Sequence, residues 1–217
     1  MKQFAVIGLG RFGASLAVSL ARMGCEVLAI DSDAAKVEAL MDEVTYAVHA
    51  DARDEEALKA AGVRNVDVAV VAIGENVEAN ILVTLMVKEL GVKCVVAKAL
   101  NELHAKVLAK IGADKIVFPE RDMGVRVART LAAGNVLEHI DLSPEYSIEE
   151  IAAPKRLIGK TLGQLNLRAK HGTMVVAIKR ERNSIVVAPG ADDMIKEGDV
   201  LVLIGPTKAL EHFQERE

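Results

Sequence analysis

The feature that most constrains this chain is a glycine spacing near its start. In "QFAVIGLGRFGASLAVSLARMGCEVLAIDSD" an apolar run of strand length (3–8) meets Gly8, Gly10 and Gly13, and a helical pattern follows over 11–23. A chain that leaves a buried strand and enters a helix with so little linker must turn sharply, and glycine tolerates the backbone such a turn demands. Gly8 predicts the tight turn, Gly10 a backbone left open to close approach, and Gly13 a close helix–sheet contact. Asp31 ends the second strand, 18 residues after Gly13. Free N–H groups and the positive end of the helix dipole suit phosphates, and an acid at that distance accepts bonds from ribose hydroxyls and repels a 2′-phosphate. Strand, turn, helix and acid together predict adenosine-nucleotide binding; the alternative is the same fold with a disused site.

The alternation continues. Strands are expected over 26–30, 45–50, 67–73, 93–98 and 114–118, with helices over 33–42, 54–61, 75–90 and 101–111 between them; Asp33 is the expected cap of the first of these helices. This is the pattern of α/β, Rossmann-like folds, with a doubly wound parallel sheet covered on both faces. The composition agrees: 51% of residues are hydrophobic, only 3% are aromatic and there is no Trp, as in sheets whose core is Val, Ile, Leu and Ala. After Pro119 a further helix is expected over 120–137, "EHIDLSP" leads out, and Ser143-Pro144 marks a boundary. The expected domains are 1–140 and 141–217. The second is a small α+β domain with strands over 146–153, 173–180, 184–188 and 199–206 and a closing helix over 207–215.

Further candidates follow from the fold. Arg11, inside the turn, can hold terminal phosphates bidentately or be a solvated surface arginine. Phe12 and Ser32 flank the turn and the acid. In a Rossmann site Asp51-Ala52 reads the adenine edge, Ile73-Gly74 passes near phosphates and the first ribose, and Lys98 points into the same crevice; each also reads as an ordinary strand-end turn. His104 lies on a helix near the crevice, where a lone histidine also serves as surface polarity. Glu120 is either a ligand of a phosphate-bound cation or an acidic helix start. Cys25 and Cys94 read as buried free thiols rather than a redox pair or metal site.

The net charge of −4 with dispersed basic residues argues against a nucleic-acid partner. No apolar run approaches the roughly 18 residues that span a bilayer, and the start runs into a strand rather than a signal peptide; a cytoplasmic location is expected. The histidines share no metal-ligand spacing, and no G-x-S-x-G occurs. No proton donor or substrate domain for a dehydrogenase is evident, so a sensor is favoured over an enzyme. The alternatives are a small NAD-dependent oxidoreductase and a redox sensor with a Rossmann core.

"FAVIGLGRFGASLA", "VVAIGENVEANILVTLMVKELG", "VLAKIGADKIVFPERDMG", "GKTLGQLNLRAKHGTMVVAIKR" and "IKEGDVLVLIGP" resemble the KtrA/KtrC group, the RCK (KTN) domain regulatory subunits of Ktr potassium-uptake systems. The resemblance covers essentially the whole chain, and "PERDMG" and "LNLRAKHG" are its most specific parts. It implies a cytosolic gating-ring subunit, peripherally attached to the membrane, whose RCK-N domain binds ATP, ADP or NAD(H). Arg11 would then meet phosphates, Asp31 ribose, and Glu120 a cation beside the nucleotide. It implies an RCK-C domain that binds cyclic di-AMP between two subunits through Leu165, Asn166, Leu167, Arg168, Ala169, Lys170 and His171, with Ala188-Pro189 nearby. His171 stands where many relatives carry an aromatic. It also implies a homodimer assembling to an octameric ring on a separate membrane pore subunit. Read without the resemblance, Arg168, Lys170 and His171 suit a two-fold symmetric dianion across a dyad, or form a solvated basic turn.

Overall fold

The computed structural model describes residues 2–132, 136–180 and 184–213, the side chains of 129 and 130 excepted. It divides into two compact units, through Glu120 and from Arg121 onward.

In the first unit β1 (Gln3–Ile7), α1 (Arg11–Arg22), β2 (Glu26–Asp31), α2 (Ala34–Glu38), β3 (Tyr46–His49), α3 (Glu55–Ala60), β4 (Val68–Val71), α4 (Val77–Glu89), β5 (Cys94–Lys98), α5 (Glu102–Lys110) and β6 (Lys115–Val117) alternate as expected. The strands form one parallel sheet in the order β3-β2-β1-β4-β5-β6. Strand order reverses between β1 and β4, which opens a crevice beyond their carboxyl ends. The central strands are apolar because helices cover both faces: Val6, Val27 and Ala29 pack under α1 and α2, and Ile7, Ile30, Leu58, Val71 and Val83 fill the opposite side.

Side-chain caps set most helix starts. Asp33 accepts from the Ala35 N–H, Asp54 from Glu56 and Ala57, Asn76 from Ala79 and Asn101 from His104. The Asp33 cap is as expected, but α2 is shorter than 33–42 because turns replace helix from Ala39 onward. Helix α1 differs: its cap is Gly10, and no side chain bonds its first turn.

The second unit contains β7 (Val136–Asp141), β8 (Tyr146–Ala152), α7 (Leu162–Leu165), α8 (Leu167–His171), β9 (Met174–Arg180), β10 (Ser184–Val187), β11 (Val200–Pro206) and α9 (Thr207–Leu210). Its antiparallel sheet has the order β10-β9-β11-β8-β7 and one core, with Ile151, Ile178, Leu201, Leu203 and Leu210 fully buried. One expectation changes here. α6 (Pro119–Ala132) is followed by a strand: "VLEHID" pairs antiparallel with β8, because its backbone completes the sheet edge. Residues 133–135 of the expected helix and 214–215 of the expected closing helix lie outside the described residues.

Candidate functional site

A cleft of about 650 Å³ opens at the strand reversal of the first unit. Its floor is the glycine turn. Gly8 has φ +94°, and a Cβ there would lie 2.9 Å from the Ile73 nitrogen. A Cβ on Gly13 would lie 1.9 Å from the Gly8 carbonyl oxygen, so α1 can start this close to the sheet only with glycine. Gly13 is therefore a packing residue beneath the site. Gly10 is the reverse: it lines the cleft, and a Cβ there would meet no protein atom within 4 Å. Nothing in the protein itself requires glycine there. The space it leaves, against the uncapped start of α1, fits a phosphate group held by backbone N–H donors.

The charged side chains around this floor are organised. Asp31 is nearly covered, and its two oxygens accept from the N–H groups of Leu9 (2.6 Å) and Asp33 (2.8 Å). It thus joins the end of β2 to the glycine turn while keeping lone pairs for a ribose hydroxyl. Lys36 sits 3.8 Å from it. Lys98 is buried, and its ammonium bonds Glu120 Oε1 at 2.6 Å. Gly74 makes room for it, since a Cβ there would lie 3.1 Å from Lys98 Nζ. The Lys98 hydrogen bond, with the charge of Arg11 also contributing, holds the Glu120 carboxyl below its ordinary range. Asn80, fully buried, donates from Nδ2 to the carbonyls of Ile73 (2.6 Å) and Lys98 (3.2 Å) and so ties the ends of β4 and β5 together.

Of the expected residues, Gly8, Gly10, Arg11, Phe12, Asp31, Ser32, Asp51, Ala52, Ile73, Gly74, Lys98 and Glu120 all line this one cleft. His104 does not. It is buried behind the site, where its Nδ1 faces the Leu100 N–H and burial lowers its pKa. Sequence reasoning missed Lys36, Arg53, Glu75, Asn76 and Leu100 in the lining, and Asn80 behind it. Arg53 carried a legible signal, an Asp two residues earlier that can fold back as an Asx turn; Asn80, inside an apolar helix, carried none.

In the second unit the expected dianion residues separate. Leu165 and Leu167 are buried in the core, whereas Asn166, Arg168, Ala169 and Lys170 are exposed at the α7–α8 junction. Asn166 takes a left-handed conformation (φ 47°), and so does Ala188 (φ 50°), beside the half-buried Pro189. The His171 ring packs edge-on against Phe213 at 5.6 Å between centroids. Cys25 and Cys94 are free thiols and half-buried rather than buried. Among the described residues no group of three or more His, Cys, Asp or Glu is placed to hold a metal ion, and no helix is long and apolar enough to cross a membrane.

Comparison with known proteins agrees with this architecture. The TrkA-N domain matches residues 4–119 and the TrkA-C domain residues 146–216. The Ktr system potassium uptake protein C of Bacillus subtilis (strain 168) is 48% identical over 99% of this chain and 97% of its own length. Among solved structures, the GsuK channel bound to NAD has the same fold, with a TM-score of 0.66 and 20% identity over 99% of this chain. GsuK bound to ADP matches with a TM-score of 0.51 and 26% identity over 60% of this chain. The matches cover only 40% and 33% of those channel chains.

Proposed function

The chain belongs to the family of TrkA-N/TrkA-C-domain proteins that includes the Ktr system potassium uptake proteins, and from that premise we propose that it is a nucleotide-sensing regulatory subunit of a potassium-uptake system. Its first unit binds ATP or ADP, or NAD(H), in the cleft of the strand reversal. The observation that carries this reading is the conjunction at one cleft of an uncapped α1 start, a Gly10 that no protein atom requires, Arg11, and the fixed carboxylate of Asp31. ADP bound to GsuK, whose fold matches over this unit, supports the ligand class.

The residues divide the work. The α1 N–H groups and Arg11 hold phosphates, and Asp31 orients the ribose and disfavours a 2′-phosphate. Lys98 is shared between Glu120 and whatever phosphate oxygen reaches it, so its buried ammonium reports phosphate occupancy to the carboxylate at the start of α6. Released from Lys98, Glu120 can face a phosphate-bound cation.

Arg168 and Lys170, exposed at the α7–α8 junction, support a second input, cyclic di-AMP bound between two copies. Leu82, Leu100 and Leu103 are exposed large apolar residues of the first unit, Leu103 by 74%. Such surface suits burial between subunits, in keeping with a homodimer, an octameric ring, and attachment from the cytoplasm to a separate pore chain. The test is thermal unfolding with each ligand. ATP or ADP at about 100 times Kd is expected to add roughly 2.7 kcal/mol. Cyclic di-AMP is expected to stabilise the wild type but not Arg168→Ala. Stabilisation by none of these ligands would overturn the reading.

A further inference from the structure

Arg53 follows β3 and lines the cleft beside Ala52. It is held with unusual thoroughness for an exposed side chain. Its Nε lies 3.0 Å and 3.1 Å from the two oxygens of Asp51, its Nη2 lies 2.6 Å from Oδ2, and its own backbone N–H donates to Oδ1 at 3.0 Å. The Asp51 oxygens thus accept from three N–H groups of Arg53, with the single Nε–H shared between both oxygens. Most of that carboxylate's accepting capacity is thus engaged by Arg53. An exposed ion pair contributes little to stability. What this one does is immobilise a planar guanidinium that stays more than half exposed, at 57%. The same hydrogen bonds hold the Asp51 carboxyl at about 2, so the pair is intact at any working pH. Arg53 is also within electrostatic reach of Glu78 in the first turn of α4, whose cap Asn76 lines the same cleft.

The sheet supplies a ruler. The phosphate-sized space is at the end of β1, the ribose acid at the end of β2, and Arg53 just beyond β3. Neighbouring strands lie about 4.8 Å apart, so two strands carry the site from the phosphates to where a base must lie. A guanidinium is weakly hydrated and stacks on aromatic faces, and one already fixed loses little freedom on doing so.

We infer that Arg53 stacks on the nucleotide base and forms one wall of its slot, with Asp51 as the positioning residue that holds the guanidinium in place. This rests on the nucleotide reading above and names what reads the base. The experiment is calorimetric titration of ADP into the full chain and its Arg53→Ala, Arg53→Lys, Asp51→Ala and doubly substituted forms, at low and high salt, with thermal unfolding as the folding control. Arg53→Ala is expected to weaken ADP about tenfold, with the same loss at both salt concentrations, and Arg53→Lys is expected not to restore it. Asp51→Ala is expected to weaken binding in the wild-type background and to add nothing once Arg53 is gone. Unchanged affinity in Arg53→Ala, rescue by lysine, or a further loss from Asp51→Ala in the Arg53→Ala background would each overturn the inference while leaving the nucleotide reading intact. No ADP binding by a folded wild type, with none of ATP, NAD or NADH either, would end both.

Discussion

Gly13 and Gly10 show how one residue type serves two purposes within a single turn. Gly13 is required by the protein itself, since any Cβ collides with the Gly8 carbonyl. Gly13→Ala is therefore expected to cost about 1–3 kcal/mol as the helix start is forced off the sheet, a loss visible in urea unfolding without any ligand. Gly10→Ala, with open space at its Cβ, is expected to leave stability within about 1 kcal/mol and to damage nucleotide binding only; equal losses of stability from the two would contradict this assignment. Charge pairs at the rim follow the same logic. Asp51 titrates ordinarily at 3.8, and Arg53 lowers it to about 2, so the contribution of the pair is complete above about pH 4 and vanishes as pH falls through about 2. The Tm difference between wild type and Arg53→Ala is expected to be small near neutrality, because both groups are exposed, and to shrink to nothing over that acid window. A difference that grew on acidification would be the wrong sign.

Strand β8 shows where pattern and packing part. Its buried side chains are Ser147, Glu149 and Ile151, so the sheet turns a carboxylate inward and leaves Ile148 half-covered. Glu149 is tolerated there because His139 of β7 faces it at 3.1 Å, while the other ring nitrogen of His139 faces Asp141 at 2.8 Å. His139→Leu is expected to destabilise by roughly 3 kcal/mol, since it strips a partner from a buried carboxylate. Ile140→Ser, one residue along and exposed by 56%, is expected to change stability by about 0.5 kcal/mol or less, and chemical denaturation would separate the two. These strands also mark what was legible in the sequence. The parallel half was readable because strands buried on both faces are apolar throughout, and most are followed by a polar cap such as Asp33, Asn76 or Asn101. Strand β7 was not, because "VLEHID" gains its strand character from the β8 backbone and from pairs such as His139–Glu149 that only tertiary structure creates. The site followed the same division. Residues fixed by the turn and strand ends were legible, whereas Asn80, reaching back from inside α4 to two carbonyls, was not.

For the whole protein, regulation requires a ligand to favour one arrangement over another, and moving an equilibrium from 1:99 to 99:1 takes about 5.5 kcal/mol of differential binding. Repeated copies of one cleft can supply that sum if each reads a small difference between nucleotides, and on the reading proposed above that difference is the terminal phosphate, met by Arg11 and Lys98. On the proposed reading, the glycine turn holds its nucleotide as a signal, with Arg11 as the reader. The most direct measurement is calorimetric affinity for ATP and for ADP in wild type and Arg11→Ala, with intact nucleotide verified after each titration. Both are expected to bind wild type, and Arg11→Ala is expected to weaken ATP by about tenfold or more, as loss of a charge-assisted hydrogen bond should, with a smaller loss for ADP. An equal loss of affinity for the two nucleotides in the variant, or rapid consumption of ATP by the wild type, would contradict it.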